Sequence, residues 1–426
     1  MRPGARVQAA IEVLSDIEAR RRPAADALKD WGLAHRFAGS GDRAAIAGLV
    51  YDALRHRASG AWRMGSEEPR ALALAALVAG GATPATLDEM FADDRFAPAA
   101  LSDDERRRLG TGLDGAPPWV RGDYPEWLHP SFERAFGEAA AEEGAALAGR
   151  APLDLRTNAL KADRDKVAKA LARFGPAPTP FSPFGLRIRP VHGRAPAVQA
   201  EAAFRKGWFE VQDEGSQISA LLTGVSPGEQ VADICAGAGG KTLALAAAMG
   251  NTGQIYAYDA DARRLAPIYD RLKRAGVRNA QVRSPGHVEA LSDLAGRLDL
   301  VVVDAPCTGT GVWRRNPDAK WRVRPGALEE RRRQQRKVLG SAAGLVKPGG
   351  RIAYITCSIL PEENEDQVSE FMAAFPDYRV RAPDRIWAET LGNAMPDSVR
   401  AGSFVRLTPA RTGTDGFFVA LLEKGP

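Results

Sequence analysis

The sequence predicts a multidomain protein: an all-helical region, then a small α+β unit, then an α/β domain built on a mostly parallel sheet. Three observations predict it. Apolar residues of the first hundred or so positions recur at helical spacing, while short strand-like runs broken by Pro and Gly follow from Leu153. From Asp213 onward, short apolar runs alternate with helical stretches, the pattern of strands feeding crossover helices.

The composition is compatible with that organisation. At 426 residues, with 45% hydrophobic and 26% charged residues, the chain can build two or three cores and is not of a disordered type. No apolar run approaches the roughly 18 to 20 residues of a membrane span. Met1-Arg2-Pro3-Gly4 opens no signal-peptide core, so a cytoplasmic chain without a membrane partner is expected. The net charge of +5 suits a polyanionic partner without requiring one. There is neither an internal repeat nor a low-complexity tract.

In the first region, expected over residues 1–125, Val7, Ala10, Ile11, Leu14 and Ile17 share a helical face, as do Ile46, Leu49, Val50 and Leu54. Arg43, Arg55, His56 and Arg57 lie around these positions and form either a solvated face or one that touches RNA. The Pro- and Gly-bearing stretch from about Asp103 to Pro152 reads as a linker and a connecting helix. The second region, residues 126–212, adds strands near Leu153–Asn158, Leu186–Ile188 and Gly207–Val211, with a helix over Arg164–Phe174. Arg156 and Lys161 beside the first of these strands could grip phosphates.

The third region, residues 213–426, carries the chemistry. Val231–Ile234 reads as a strand, followed by Cys235-Ala236-Gly237-Ala238-Gly239-Gly240-Lys241-Thr242 and a helix through Met249. A second strand, Ile255–Asp259, precedes a helix over Asp261–Arg274. Glycines at a helix start let a ligand approach the backbone closely. A Walker A loop would need glycine at Cys235, and a dinucleotide fingerprint from Gly237 would need Gly or Ala at Thr242. Both phosphate patterns therefore fail by one residue. Asp259 ends the next strand about twenty residues on, where a carboxylate can hold ribose hydroxyls. A loop of this kind with a ribose acid suits a nucleoside such as S-adenosylmethionine. Lys241 is either a solvent-facing lysine at a helix start or a group beside cofactor and base.

The apolar run Leu298–Val303 ends in Asp304-Ala305-Pro306-Cys307-Thr308-Gly309-Thr310-Gly311, and Arg351–Thr356 ends in Cys357-Ser358. Together with Cys235 these place all three cysteines of the chain at strand ends, with no pair at metal-ligand spacing, so no metal is expected. A single cysteine is commonly a small buried hydrophobe. Three at the ends of strands of one sheet point to chemistry. Arg314–Lys337 then holds ten Lys and Arg against three acids, with Trp313 and Trp321 beside it. Such a run is a solvated face or a phosphate grip with base stacking.

The three loops, with Arg314-Arg315-Asn316-Pro317-Asp318 and Glu363-Asn364-Glu365, resemble the RsmB (Sun/NOP-type) family of RNA 5-methylcytosine methyltransferases. The likeness runs from Arg156 to the end, with Asp415–Ala420 similar to the family's last strand, and the helical region is more loosely similar to a NusB-like RNA-binding domain. The resemblance implies a Rossmann-like class I methyltransferase domain after the α+β and NusB-like domains, and S-adenosyl-L-methionine as cofactor. It implies cofactor contacts from Cys235, Ala236, Gly237, Ala238, Gly239, Gly240, Lys241, Asp259 and Asp304. Cys357 would be the nucleophile, Cys307 would help resolve the adduct, and Asp304 would contact the base. DNA cytosine-5 enzymes attack with a Pro-Cys thiol, so Pro306-Cys307 keeps the reverse assignment open. RNA contacts are expected from Arg156, Asn158, Lys161, Arg314 and Arg315, with 16S rRNA or a small-subunit assembly intermediate as partner and a monomer as the acting form. Two departures stand out: Gly237-Ala238 replaces the usual Ala-Pro, and Pro285 takes the place of an Asp that contacts adenine. A non-catalytic ribosome-assembly factor and a tRNA methyltransferase are the alternatives.

Overall fold

The computed structural model describes all residues other than 93, 190–195 and 284–287, and all side chains of the rest other than those of 288 and 289. Pro285 lies outside the described residues. The chain divides into two units. Among the described residues, no single helix is long and apolar enough to cross a membrane.

The first unit begins with α1 (Pro3–Arg20), α2 (Ala24–Ala34), α3 (Ser40–Arg55), α4 (Arg57–Met64) and α5 (Pro69–Ala79). Pro3 and Pro69 stand in the first turns of α1 and α5, where a missing N–H costs nothing. The apolar stripes expected from the spacing meet in one core: Ala10, Val13 and Leu14 of α1, Ile46, Val50 and Leu54 of α3, and Leu72, Ala73 and Ala76 of α5. Further helices continue to Ala148, among them Asp103–Leu109, which opens on a reciprocal cap between Ser102 and Glu105.

A segment from far along the chain, Trp313–Val323, completes this unit. The last carbonyls of α3 have no partner within the helix. They are met from this segment: Trp321 donates its indole N–H to the Leu54 carbonyl at 2.6 Å and Lys320 Nζ reaches the Arg55 carbonyl at 2.9 Å. The Asp318 carboxylate accepts from the Ala24 N–H at the start of α2, where a helix favours negative charge. Arg55 answers by donating to the carbonyls of Arg314 and Gly149. Trp313 and Lys320 are each only 1% exposed. The arginine face of this region is therefore not a free RNA-facing array. Arg55 is an internal tie, His56 meets Asp123, and Arg57 is paired with Glu18 and Glu67.

Burial pushes the Lys320 amine down to about 8, from 10.5. The folded unit then binds fewer protons than the unfolded chain between those two values, so stability from this group rises with pH through that window. In urea titrations, the wild type is expected to gain stability relative to Lys320→Met between pH 8 and pH 10. Parallel pH curves for the two proteins would show that the amine titrates normally.

The second unit contains two sheets. The small one holds β1 (Leu153–Thr157), β2 (Ala177–Pro178), β3 (Gly185–Ile188) and β4 (Phe209–Val211), all antiparallel in the order β2-β3-β1-β4. The helix expected over Arg164–Phe174 spans Arg164–Ala170 and tightens into a 3-10 turn, Ala172–Phe174.

The large sheet holds β5 (Gln230–Asp233), β6 (Gln254–Ala257), β7 (Ala280–Val282), β8 (Leu298–Asp304), β9 (Val346–Thr356), β10 (Tyr378–Arg381), β11 (Arg400–Ala401), β12 (Phe404–Leu407) and β13 (Phe417–Lys424). Its order is β11-β12-β13-β9-β8-β5-β6-β7, with β10 also paired to β13. Strands β5 to β9 run parallel, and β13 is antiparallel to β9. Both faces are covered, which explains the continuous apolar run in β8: Leu300 and Val302 enter one core, Val301 and Val303 the other. The helix expected over 261–274 is interrupted at Ala266-Pro267, leaving Ala262–Leu265 and Ile268–Ala275, because proline removes a helical donor. Strand β5 lies between β8 and β6, so the chain runs outward through β6 and β7 and then crosses back to β8 on the other side of β5. The crevice beyond the carboxyl ends at such a switch point is where open α/β sheets take ligands.

Candidate active site

Parallel pairing of β5, β6, β8 and β9 brings Cys235, Asp259, Asp304, Cys307 and Cys357 to one edge of the sheet. The glycine loop after β5 is fastened to the end of β6. The Gly237 N–H donates to Asp259 Oδ2 at 2.8 Å, the Asp261 N–H donates to Asp259 Oδ1 at 2.9 Å, and the Ala236 N–H reaches the Tyr258 carbonyl. Gly237 and Gly239 have φ of +49° and +83°, in the left-handed region that favours glycine. A Cβ on Gly239 would also strike the Ile268 side chain, whereas one on Gly237 would meet nothing within 3.4 Å. Gly237 thus packs beside the Asp259 carboxylate and the Arg264 guanidinium, with no side chain of its own. The Cys235 thiol is pushed well up by burial and by the carboxylates of Asp233, Asp304 and Asp259, so it remains protonated.

Lys241 is not solvent-facing. Its side chain is 5% exposed, and its Nζ meets the Asp304 carboxylate at 2.7 Å. Asp304, at 34% side-chain exposure, faces the open edge from the end of β8. Behind them Asp233 is buried, accepts from the Thr242 hydroxyl at 2.7 Å, and is pushed up to about 6 by burial and secondarily by Asp304.

Cys307 and Cys357 come together with their Sγ atoms 3.3 Å apart. Contact with Cys357, then burial, pushes the Cys307 thiol well above its ordinary range. The raised Cys307 thiol keeps its proton, beside the Cys357 sulfur.

A polar network sets this spacing. The buried Glu363 carboxylate accepts from the Thr308 N–H and hydroxyl, and from Gln335 Nε2, which also donates to the Pro306 carbonyl. Burial raises the Glu363 carboxyl above its usual range. Thr310 Oγ1 meets Ser358 Oγ at 3.0 Å, and the Gly311 N–H donates to the Cys357 carbonyl at 2.9 Å. Asn364 fixes the Thr356–Ser358 turn by accepting from the Thr356 hydroxyl and donating to the Ser358 carbonyl. Gln335 and Tyr354, whose hydroxyl donates to the Glu363 carbonyl, have no motif around them that would identify them from sequence.

Gly311 makes room for Gly416. A Cβ at Gly311 would lie 2.3 Å from the Gly416 carbonyl oxygen, a backbone atom that cannot step aside. Gly311→Ala is expected to cost about 1–3 kcal/mol of stability and to displace the cysteine loop. A lowered thermal midpoint with reduced methyl transfer would be the result; an unchanged midpoint would show that the loop yields freely.

Three residues expected to face RNA are buried instead. Arg156 pairs in register with Glu210 across β1 and β4 and is 5% exposed. Asn158 is consumed as a tie, donating to the carbonyls of Gly207 and Ala275. Arg314 is 4% exposed inside the helical unit. Lys161 lies at the surface and caps the carbonyls of Lys206 and Arg274, and Arg315 is exposed.

Comparison with known proteins agrees with this geometry. Residues 220–423 match the family model described as 16S rRNA methyltransferase RsmB/F, and residues 124–191 match the ferredoxin-like domain of RsmF/B-like methyltransferases. A probable ribosomal RNA small subunit methyltransferase B of Synechocystis sp. is 35% identical over 309 residues, covering 71% of this chain and 67% of the relative. The chain belongs to the RsmB/F methyltransferase family. The crystal structure of PH0851 aligns over 100% of this chain and 99% of its own, with 25% identity and a TM-score of 0.73. That of NSun6 from Pyrococcus horikoshii, solved with SFG, shares the fold over 71% of this chain and 98% of its own, at 22% identity and a TM-score of 0.61.

As a member of the RsmB/F family, the chain is an S-adenosylmethionine-dependent methyltransferase of the ribosomal small-subunit class. The residues present fit the cofactor. The glycine loop brings bare backbone beside Asp259, and Asp259 spends one N–H contact on each oxygen, which leaves acceptor capacity for ribose hydroxyls. Asp259→Ala is expected to weaken S-adenosylmethionine binding by about 1.5–3 kcal/mol, since it removes the ribose acceptor and releases the Gly237 loop. Calorimetric titration of the folded variant with unchanged affinity would remove Asp259 from the cofactor site.

Proposed function

We propose that this chain methylates C5 of a cytosine in 16S rRNA through a covalent adduct on Cys357. The observation that carries the reading is the thiol pair, 3.3 Å apart at the sheet edge beside Asp304 and the glycine loop. Cytosine C5 is a poor nucleophile, and addition of a thiolate to C6 turns the ring into an enamine reactive at C5. In this reading Cys357 forms the bond to C6 and Asp304, anchored by Lys241, receives the N3 and amino edge of the base where positive character develops. S-adenosylmethionine, held by residues 235–241 and Asp259, supplies the electrophilic methyl group. Cys307 then takes part in removing the C5 proton, and the electrons of the C5–H bond re-form the C5–C6 double bond as the C6–S bond breaks and frees Cys357.

The target base must leave any helix it occupies, so single-stranded or locally opened RNA is the expected form of the substrate. The helical unit, loosely similar to a NusB-like domain, is proposed as a second RNA-binding part, with the protein acting as a cytoplasmic monomer. The test is incubation with S-adenosylmethionine and 16S rRNA, nucleoside analysis by mass spectrometry, and bisulfite mapping of the site. Methyl transfer to another atom, or to tRNA alone, would overturn the assignment.

A further inference from the structure

The helical unit carries an aromatic groove that the methyl-transfer reading does not use. About 1060 Å³ in volume, it lies between the start of α1, the end of α2 and residues 94–97. Trp31 and His35 stack one helical turn apart, with ring centroids 4.2 Å apart and planes within 14°. Phe37 stands edge-on to His35 at 5.8 Å and is 73% exposed. On the other side Phe96, 61% exposed, has the Arg95 guanidinium 4.4 Å from its ring centre.

Large rings so exposed on a soluble surface are uncommon and mark contact sites. Trp31 and His35 are also held in place. The Trp31 indole N–H donates to Glu12, and His35 Nδ1 lies 2.9 Å from the Trp31 carbonyl. The acids of the groove have partners at the surface: the exposed Glu12 accepts from Trp31 and Gln8, and the half-buried Asp94 accepts from the N–H groups of Ala5 and Phe96. What the groove offers outward is ring faces together with the exposed side chains of Arg2, Arg95 and Glu12 that line it. Fixed aromatic platforms flanked by arginines fit unpaired nucleobases on a phosphate backbone, because every base has a π-face and each phosphate wants a cation.

We propose that this groove binds a single-stranded stretch of RNA, stacking its bases on Trp31, Phe37 and Phe96. The stretch is separate from the cytosine that is methylated. The proposal rests on the preceding reading, which makes RNA the substrate and the helical unit a second RNA-binding part, and it names the place and the form of RNA bound there.

The test uses the full chain and a single-stranded oligoribonucleotide containing 4-thiouridine, crosslinked by ultraviolet light and followed by peptide mapping. Crosslinks are expected on peptides carrying Trp31 to Phe37 and Arg95 to Phe96. The double variant Phe37→Ala/Phe96→Ala, whose rings are too exposed to hold the fold, should bind the oligonucleotide roughly tenfold more weakly, with its affinity for S-adenosylmethionine unchanged. Equal RNA affinity of variant and wild type, with no crosslink in the groove, would overturn the proposal. If 5-methylcytosine still formed, the catalytic reading would survive that failure; crosslinks in the groove without 5-methylcytosine would support the groove and sink the catalytic reading. A wild type that is dimeric by light scattering, a monomeric variant and equal RNA affinity would mean that the groove joins two copies of the chain, which also overturns it.

Discussion

Cys357→Ala is expected to bind RNA and S-adenosylmethionine and to form neither 5-methylcytosine nor any covalent complex. Without that thiolate nothing adds to C6, and the ring has no reactive carbon to receive a methyl group. Cys307→Ala should fail later. With Cys357 still able to attack, methyl transfer should proceed, but elimination should stall and leave protein bonded to a methylated base. That species should survive denaturing electrophoresis as a slower band, disappear with RNase, and be absent from the double variant. The 3.3 Å contact between the sulfurs makes the comparison sharp, because either alanine removes the neighbour that the other thiol now touches. A stable adduct from Cys357→Ala, with none from Cys307→Ala, would make Pro306-Cys307 the attacking thiol.

The second large effect is expected at Asp304. Asp304→Asn keeps the side-chain shape but removes the negative charge that Lys241 Nζ meets at 2.7 Å, and leaves that buried ammonium without its counter-ion. Groups aimed at charge developing in a transition state are each worth about 10²–10³ in kcat. A loss of that order is expected, with RNA affinity within a few fold of the wild type. If kcat were retained and only RNA affinity fell, Asp304 would be a binding residue and the charge on the ring would have to be met elsewhere.

The catalytic half was legible in the sequence because its signals are local. Strand β8 could be read from four consecutive apolar residues, since its alternate side chains fill cores on both faces of the sheet. The ends of β5, β8 and β9 announce themselves by a cysteine followed by small residues. What could not be read is the use of polar side chains as long-range ties. Asn158 looks like a surface residue beside a strand, yet its amide joins carbonyls 49 and 117 positions away. Gln335 sits in a run of arginines, and nothing near it in sequence says that it holds Pro306 and Glu363. Trp313 and Trp321, read as rings for base stacking, serve instead in the helical unit, where one is 1% exposed and the other caps Leu54. Contacts of this range leave no periodicity, and only the fold reveals them.

The placement of Trp313–Val323 also sets an order of events at birth. Translation delivers the helices of the first unit by residue 150, but the piece that caps α3 and α2 appears only after residue 323. At 5–20 residues per second that interval is on the order of ten seconds. For that time the carbonyls of Leu54 and Arg55 lack their indole and ammonium donors, and the apolar surface that later covers Trp313 is open to solvent or chaperone. A unit whose helices are made early is thus finished late, once the catalytic loop directly preceding Trp313 has been made.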